Sequence, residues 1–123
     1  MAEICGVAAA ETQFDFDSAQ LDATAKARVA AIADCFTRGP LRERGVVLVG
    51  HADPRGTDAY NRELGMSRAE AVAVALEREG VAANRILLTS HGEAGADPAP
   101  EAWADERRVE VRITDLVPAD REP

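Results

Sequence analysis

Apolar and polar positions along the chain recur with two periods, and the switches between them mark out four strands and two long helices. Residues 7–10 form a weak apolar lead-in. Residues 12–16 (T-Q-F-D-F) alternate with Phe14 and Phe16 on one face, which predicts a first strand that Asp17-Ser18 ends. Asp22 can cap the next segment, where Ala25, Val29, Ile32, Ala33 and Phe36 fall on one helical stripe. Gly39-Pro40 stops that helix. The continuous apolar run Val46-Val47-Leu48-Val49 predicts a second strand covered on both faces. Thr57 or Asp58 then caps a long helix whose buried face is expected to hold Tyr60, Leu64, Gly65, Ala69, Val72, Ala73 and Leu76, with Gly80 as its stop. Residues 85–90 contain Ile86-Leu87-Leu88, a third strand. After a Gly/Ala/Pro-rich loop, residues 101–105 can make one helical turn around Trp103. Residues 107–113 alternate Val109, Val111 and Ile113 against Arg108, Glu110 and Arg112, the pattern of a last strand.

The resulting order is β-α-β-α-β-β in a single α+β domain, a two-layer α/β sandwich with two main helices on one face of a four-stranded mixed sheet. Strands joined by helices pair in parallel, whereas the short last connection lets the final strand run the other way. The domain is expected over residues 12–114, between an N-terminal lead-in (1–11) and a polar C-terminal tail (115–123).

Composition narrows the function classes. Lys+Arg number 14 against 22 Asp+Glu, a formal charge of −8. That excludes the broad basic face that supplies most nucleic-acid affinity, and equally a polybasic lipid-surface binder. The acidity is uneven: residues 93–123 carry nine acids and four arginines, while residues 1–92 are nearly balanced at thirteen acids and ten bases. No apolar run is long enough to span a membrane as a helix. The first residues lack the basic and apolar regions of a signal peptide, so composition leaves open a cytosolic protein or a part of a longer one. Two cysteines, Cys5 and Cys35, are too few for a zinc framework and read either as buried thiols or as one disulfide. His51 and His91 with scattered acids show no metal-ligand spacing, so no metal and no cofactor is expected. The serines lack a GxSxG elbow, and no nucleophile–base pair is apparent, so an enzyme is not expected.

The chemically informative stretch is the loop after the second strand and the helix it feeds, residues 50–72. Asp53 stands at the carboxyl end of a strand, where open α/β layouts place ligands. Asn61 and Arg68 lie two helical turns apart on a face that is otherwise apolar. A carboxylate and a guanidinium near one another can receive a zwitterion, the Asp taking an ammonium and the Arg a carboxylate by a two-pronged bond. On the residues alone the alternative stands that Asp53 caps the helix or pairs with Arg68 for structure only.

These residues also carry a resemblance. Phe14-Asp15-Phe16-Asp17-Ser18, Gly50-His51-Ala52-Asp53-x-Arg55-Gly56, Tyr60-Asn61-x-x-Leu64-Gly65-x-x-Arg68-Ala69-x-x-Val72, Ser90-x-Gly92-Glu93 and Arg107-Arg108-Val109 occur in order across residues 12–114. Together they resemble the OmpA-like peptidoglycan-binding domain (the OmpA/Pal/MotB C-terminal domain family), most closely its peptidoglycan-associated lipoprotein (Pal) branch. The resemblance implies a sheet of order 1-4-2-3 with the last strand antiparallel. It implies non-covalent binding of the peptidoglycan stem peptide, with Asp53 and Arg68 clamping the ammonium and carboxylate of meso-diaminopimelate. Gly56, Asn61 and Leu64 would line the pocket, and Asp17 would close another side. It also implies a periplasmic domain tethered to the outer membrane through an N-terminal anchor beyond this sequence, which makes a Cys5–Cys35 disulfide the preferred reading of the two cysteines. Two departures from the family pattern stand out. Glu106 precedes Arg107 where the family usually has Asn, adding a carboxylate near the expected rim, and Met66-Ser67 replaces a charged pair. Arg107 itself can orient the site or form a rim salt bridge. The departures favour, as the alternative, a protein-interaction domain for a TolB-like partner with a degenerate peptidoglycan pocket.

Overall fold

The computed structural model describes residues 11–15, 17–42 and 44–114. Strand β1 (Glu11–Gln13) is followed by helix α1 (Ala23–Thr37), strand β2 (Gly45–His51) and helix α2 (Asp58–Arg78). A 3-10 turn (Ala83–Arg85) leads into strand β3 (Ile86–Gly92), and a second one (Pro100–Ala102) runs into the single helical turn α3 (Trp103–Glu106) before strand β4 (Arg108–Thr114). The sheet order is β1-β4-β2-β3. β2 and β3 are parallel, and β4 runs antiparallel to both β1 and β2. This is the expected topology. No described helix is long and apolar enough to cross a membrane.

Local signals account for the helices. The Asp22 side chain accepts the Ala25 N–H at 2.8 Å and starts α1, and Thr57, rather than Asp58, accepts the Tyr60 N–H at 3.1 Å and starts α2. Ala25, Val29, Ile32, Ala33 and Phe36 of α1 are all buried, with Cys35 beside them. They meet Ala69, Val72 and Leu76 of α2 over Val46 and Leu48 of β2 and Val109 and Val111 of β4.

Two expectations need correction. β1 ends at Gln13 instead of running to residue 16, and Phe16 lies outside the described residues. The strand stops because arginine side chains take the next carbonyls: Arg107 Nε–H donates to Phe14 O and Arg68 Nη2–H to Asp15 O. Tyr60 is not in the buried face of α2 but 48% exposed, lining the cavity beside the loop after β2. β2 is covered on both faces as expected, Val46 and Leu48 in the core and Val49 buried on the opposite face, where Val47 beside Arg112 is half-buried.

Close approach of α2 to the sheet is what positions the functional end of the molecule. A Cβ on Gly50 would stand 1.7 Å from Gly65 O, so helix backbone rests on strand backbone at this point. The Ser90 hydroxyl donates to Arg62 O at 2.6 Å and ties β3 to the same helix. Gly50→Ala therefore forces α2 off the sheet. It is expected to cost at least about 3 kcal/mol, read as a lowered urea midpoint with an unchanged slope.

Candidate functional site

At the C-terminal end of β2 a register shift between Gly50 and His51 lifts the chain out of the sheet, and the Ala52 N–H is caught by Gly92 O at 2.8 Å. The following loop turns through Gly56 at φ +93°, a conformation that favours glycine. Together with the first three turns of α2 and the end of the β1–α1 connection it encloses a cavity of about 250 Å³. The walls are Asp17, Asp53, Arg55, Gly56, Tyr60, Asn61, Leu64 and Arg68, with Ala52 at the base. All six residues expected to line a ligand pocket (Asp17, Asp53, Gly56, Asn61, Leu64 and Arg68) border this one cavity. Its wall carries four charged side chains, the two aspartates Asp17 and Asp53 and the two arginines Arg55 and Arg68.

Arg68 is fully buried, 0% exposed. Its Nε–H donates to Ser18 O at 2.8 Å, one Nη1–H to His51 O at 2.9 Å and one Nη2–H to Asp15 O at 3.0 Å. The guanidinium also lies over the Phe14 ring, 5.3 Å from its centroid. A guanidinium carries five N–H donors, so one N–H on each terminal nitrogen remains beyond these three bonds. Burial, then the nearby charge of Arg107, lowers its pKa to about 10, while Asp53 and Asp17 act the other way. Arg68 is thus a cation at neutral pH that both pins backbone and faces the cavity.

Asp53 is 4% exposed. It does not pair with Arg68. Its carboxylate instead takes the Arg55 backbone N–H and Nε–H on Oδ1, each at 3.1 Å, and Arg55 Nη2–H on Oδ2 at 2.8 Å. Arg107 Nη1–H reaches Oδ2 at 3.4 Å. Burial pushes this carboxyl up, but the hydrogen bonds from Arg55 and then Arg107 outweigh it and leave the pKa below the ordinary carboxylate value. Arg107 thus forms a salt bridge with Asp53, one of the two roles its position suggested, and its Nε–H also donates to Phe14 O.

Asn61, 2% exposed, braces the loop: its Nδ2 donates to Arg55 O and to Glu93 Oε1, both at 2.8 Å. Glu106 turns away from the cavity, pairing with Arg108 at 3.2 Å and accepting the Asp97 N–H. His51 is likewise structural, with Nε2 2.6 Å from Glu110 Oε1 and its ring edge-on to His91. Burial and then the Arg108 charge lower its pKa. Cys35 is buried in the core, and Cys5 lies outside the described residues.

Sequence reasoning undervalued Arg55, Tyr60, Glu93 and Trp103. Arg55 closes over the Trp103 ring, 4.3 Å from its centroid. Arg55 and Glu93 do stand in the motif segments, a signal that was available. Trp103 is reachable only through the fold, which brings a loop fifty residues downstream against Arg55.

Residues 13–112 match the family model described as the OmpA family. Outer membrane porin F of Pseudomonas fluorescens is 37% identical over 106 residues, covering 84% of this chain and 32% of the porin. The peptidoglycan-associated lipoprotein of Pseudomonas putida is 44% identical over 72 residues, 54% of this chain and 42% of that protein. The chain thus spans less than half the length of these two relatives. Among solved structures, the peptidoglycan-associated lipoprotein from Burkholderia pseudomallei superposes with a TM-score of 0.77 at 32% identity, over 87% of this chain and 92% of that one.

The depressed Asp53 pKa has a consequence for stability. A carboxyl that binds its proton less tightly folded than unfolded stabilises the fold above its unfolded pKa of about 4 and loses that contribution as pH falls below it. Asp53→Asn should lower stability at pH 7, and the gap to wild type should close on acidification toward pH 2–3. Urea titrations of both proteins across that range measure it.

Proposed function

The chain belongs to the OmpA family, and from that premise we propose that this domain binds the peptide stem of peptidoglycan non-covalently through its meso-diaminopimelate residue, anchoring an envelope protein to the cell wall. The relatives named for peptidoglycan association and for the outer membrane support the coarse reading. Domains of this family are binding modules rather than enzymes. The observation that carries the finer reading is the charge-balanced cavity, in which a buried guanidinium with two N–H groups to spare stands across from a buried carboxylate. In this reading the spare N–H groups of Arg68 take the free carboxylate of diaminopimelate in a two-pronged bond. Asp53 takes the ammonium. Leu64 and Tyr60 flank the aliphatic carbons, and Gly56 lets the loop backbone come close to them. A pocket of about 250 Å³ suits one amino-acid-sized group rather than a whole glycan. A lysine-type stem has the ammonium but lacks the carboxylate and would leave Arg68 unsatisfied, so discrimination comes from an unpaired buried donor.

Glu106, one of the departures that suggested a degenerate pocket serving a TolB-like partner, is paired with Arg108 outside the cavity. The envelope location, with a tether upstream of this sequence, belongs to the same proposal, and so does a Cys5–Cys35 disulfide. Such a bridge would close a loop of about thirty residues and stabilise by roughly 3–4 kcal/mol in the chain-entropy model. Thiol alkylation of the unreduced, denatured protein should leave both cysteines unmodified, whereas labelling of both would refute the bridge.

The binding test must respect the double role of Arg68. Truncating it to Ala leaves the carbonyls of Asp15, Ser18 and His51 without their donor, so loss of binding would be confounded with loss of fold. Asp53→Asn keeps shape and removes charge. It should abolish co-sedimentation with diaminopimelate-type sacculi while circular dichroism stays native, and wild type should sediment far less with lysine-type sacculi. Equal retention of wild type by the two wall types would contradict the proposed specificity.

A further inference from the structure

The Asp53 carboxylate has no acceptor site to spare. A carboxylate offers about four lone-pair sites, and four N–H groups already reach it: the Arg55 backbone N–H and Nε–H at Oδ1, and Arg55 Nη2–H and Arg107 Nη1–H at Oδ2. An ammonium cannot be added to this arrangement; it has to replace something. Arg107 is the less mobile of the two cations, since its Nε–H is anchored on Phe14 O at 2.9 Å. The Arg55 side chain is 34% exposed at the mouth of the cavity and has solvent to move into. Trp103 helps hold it down. The guanidinium stacks on the indole face at 4.3 Å, and the indole is fixed by its own Nε1–H on Pro98 O at 3.1 Å.

We propose that Arg55 is an internal competitor for the ligand's ammonium, clamped onto Asp53 by Trp103, and that ligand binding exchanges Arg55 off the carboxylate and out of its stack. The proposal rests on the reading of the cavity as an ammonium and carboxylate receptor, and adds how the free site keeps itself neutral. Affinity is then a difference between two cations on one aspartate. A bare amine merely trades places with Arg55 and gains nothing, whereas a zwitterion also gains the spare N–H groups of Arg68. The self-occupied site thereby sharpens selection for ligands that engage both ends. Asp17 marks the competing arrangement. Its carboxylate borders the same cavity, and among the described residues no donor reaches it, so an ammonium held there would leave Arg55 and Trp103 where they are.

Trp103 is the only tryptophan in the chain, so its fluorescence reports the stack without labelling. Titration with a soluble diaminopimelate-containing muropeptide, run in parallel by calorimetry and by fluorescence, should give a saturable change in emission with the calorimetric Kd. Arg55→Met should alter emission in the free protein, abolish the ligand-induced change and bind the muropeptide more tightly. Trp103→Leu should tighten binding about three- to tenfold, the worth of a cation–π contact. Unchanged emission at calorimetric saturation, or weaker binding by Arg55→Met, overturns the exchange. Should either variant fail to fold by circular dichroism, the wild-type fluorescence decides alone. Absence of any calorimetric binding by wild type is a separate result: it sinks the functional reading, and the exchange mechanism with it.

Discussion

One buried guanidinium organises the functional end of this domain. Arg68 reaches from the middle of α2 to the carbonyls of Asp15 and Ser18 beyond β1 and of His51 at the end of β2. Three segments distant in sequence are thereby held at one point. An arginine without solvent exposure is costly unless its donors are satisfied, and here backbone carbonyls rather than a carboxylate satisfy most of them. The consequence is a cation whose charge no carboxylate among the described residues contacts directly. In the proposed function, that residual charge is what receives the ligand's carboxylate.

The opposite pole is built the other way. Asp53 is saturated by Arg55 and Arg107 and stays ionised through their hydrogen bonds despite burial. The free domain therefore stores its negative charge under a removable cation and its positive charge under fixed carbonyls. Backbone-on-backbone contact at Gly50 and Gly65 sets the distance between the two poles, because α2 could not otherwise sit low enough for Arg68 to reach past the sheet.

Much of this was legible in the sequence. The period-3.6 stripe of α1 and the caps at Asp22 and Thr57 predicted the helices, and the motif residues named the cavity wall. The misreadings share a cause, which is that period and spacing describe one element at a time. Residues 12–16 alternate like a strand, yet β1 ends early because side chains from α2 and from the segment before β4 take its carbonyls. Tyr60 sits on the apolar stripe of α2, but it lines the cavity instead of the core and stays exposed. A structural Asp53–Arg68 pair, one alternative the sequence left open, does not form, because in three dimensions each is held by other groups. Trp103 could not be connected to Arg55 before the loop ahead of β4 was placed beside the loop after β2.

The central claim is that Arg68 keeps donors for a ligand carboxylate while pinning the fold. Nitrogen-15 spectra of the arginine side chains test it most directly, because buried guanidinium protons exchange slowly enough to be seen. On addition of a diaminopimelate-containing tripeptide, the Arg68 signals should shift saturably, and those of Arg85, whose guanidinium holds Leu41 O and Arg44 O at the far end of the sheet, should stay fixed. Bound peptide that leaves Arg68 unmoved would contradict the account.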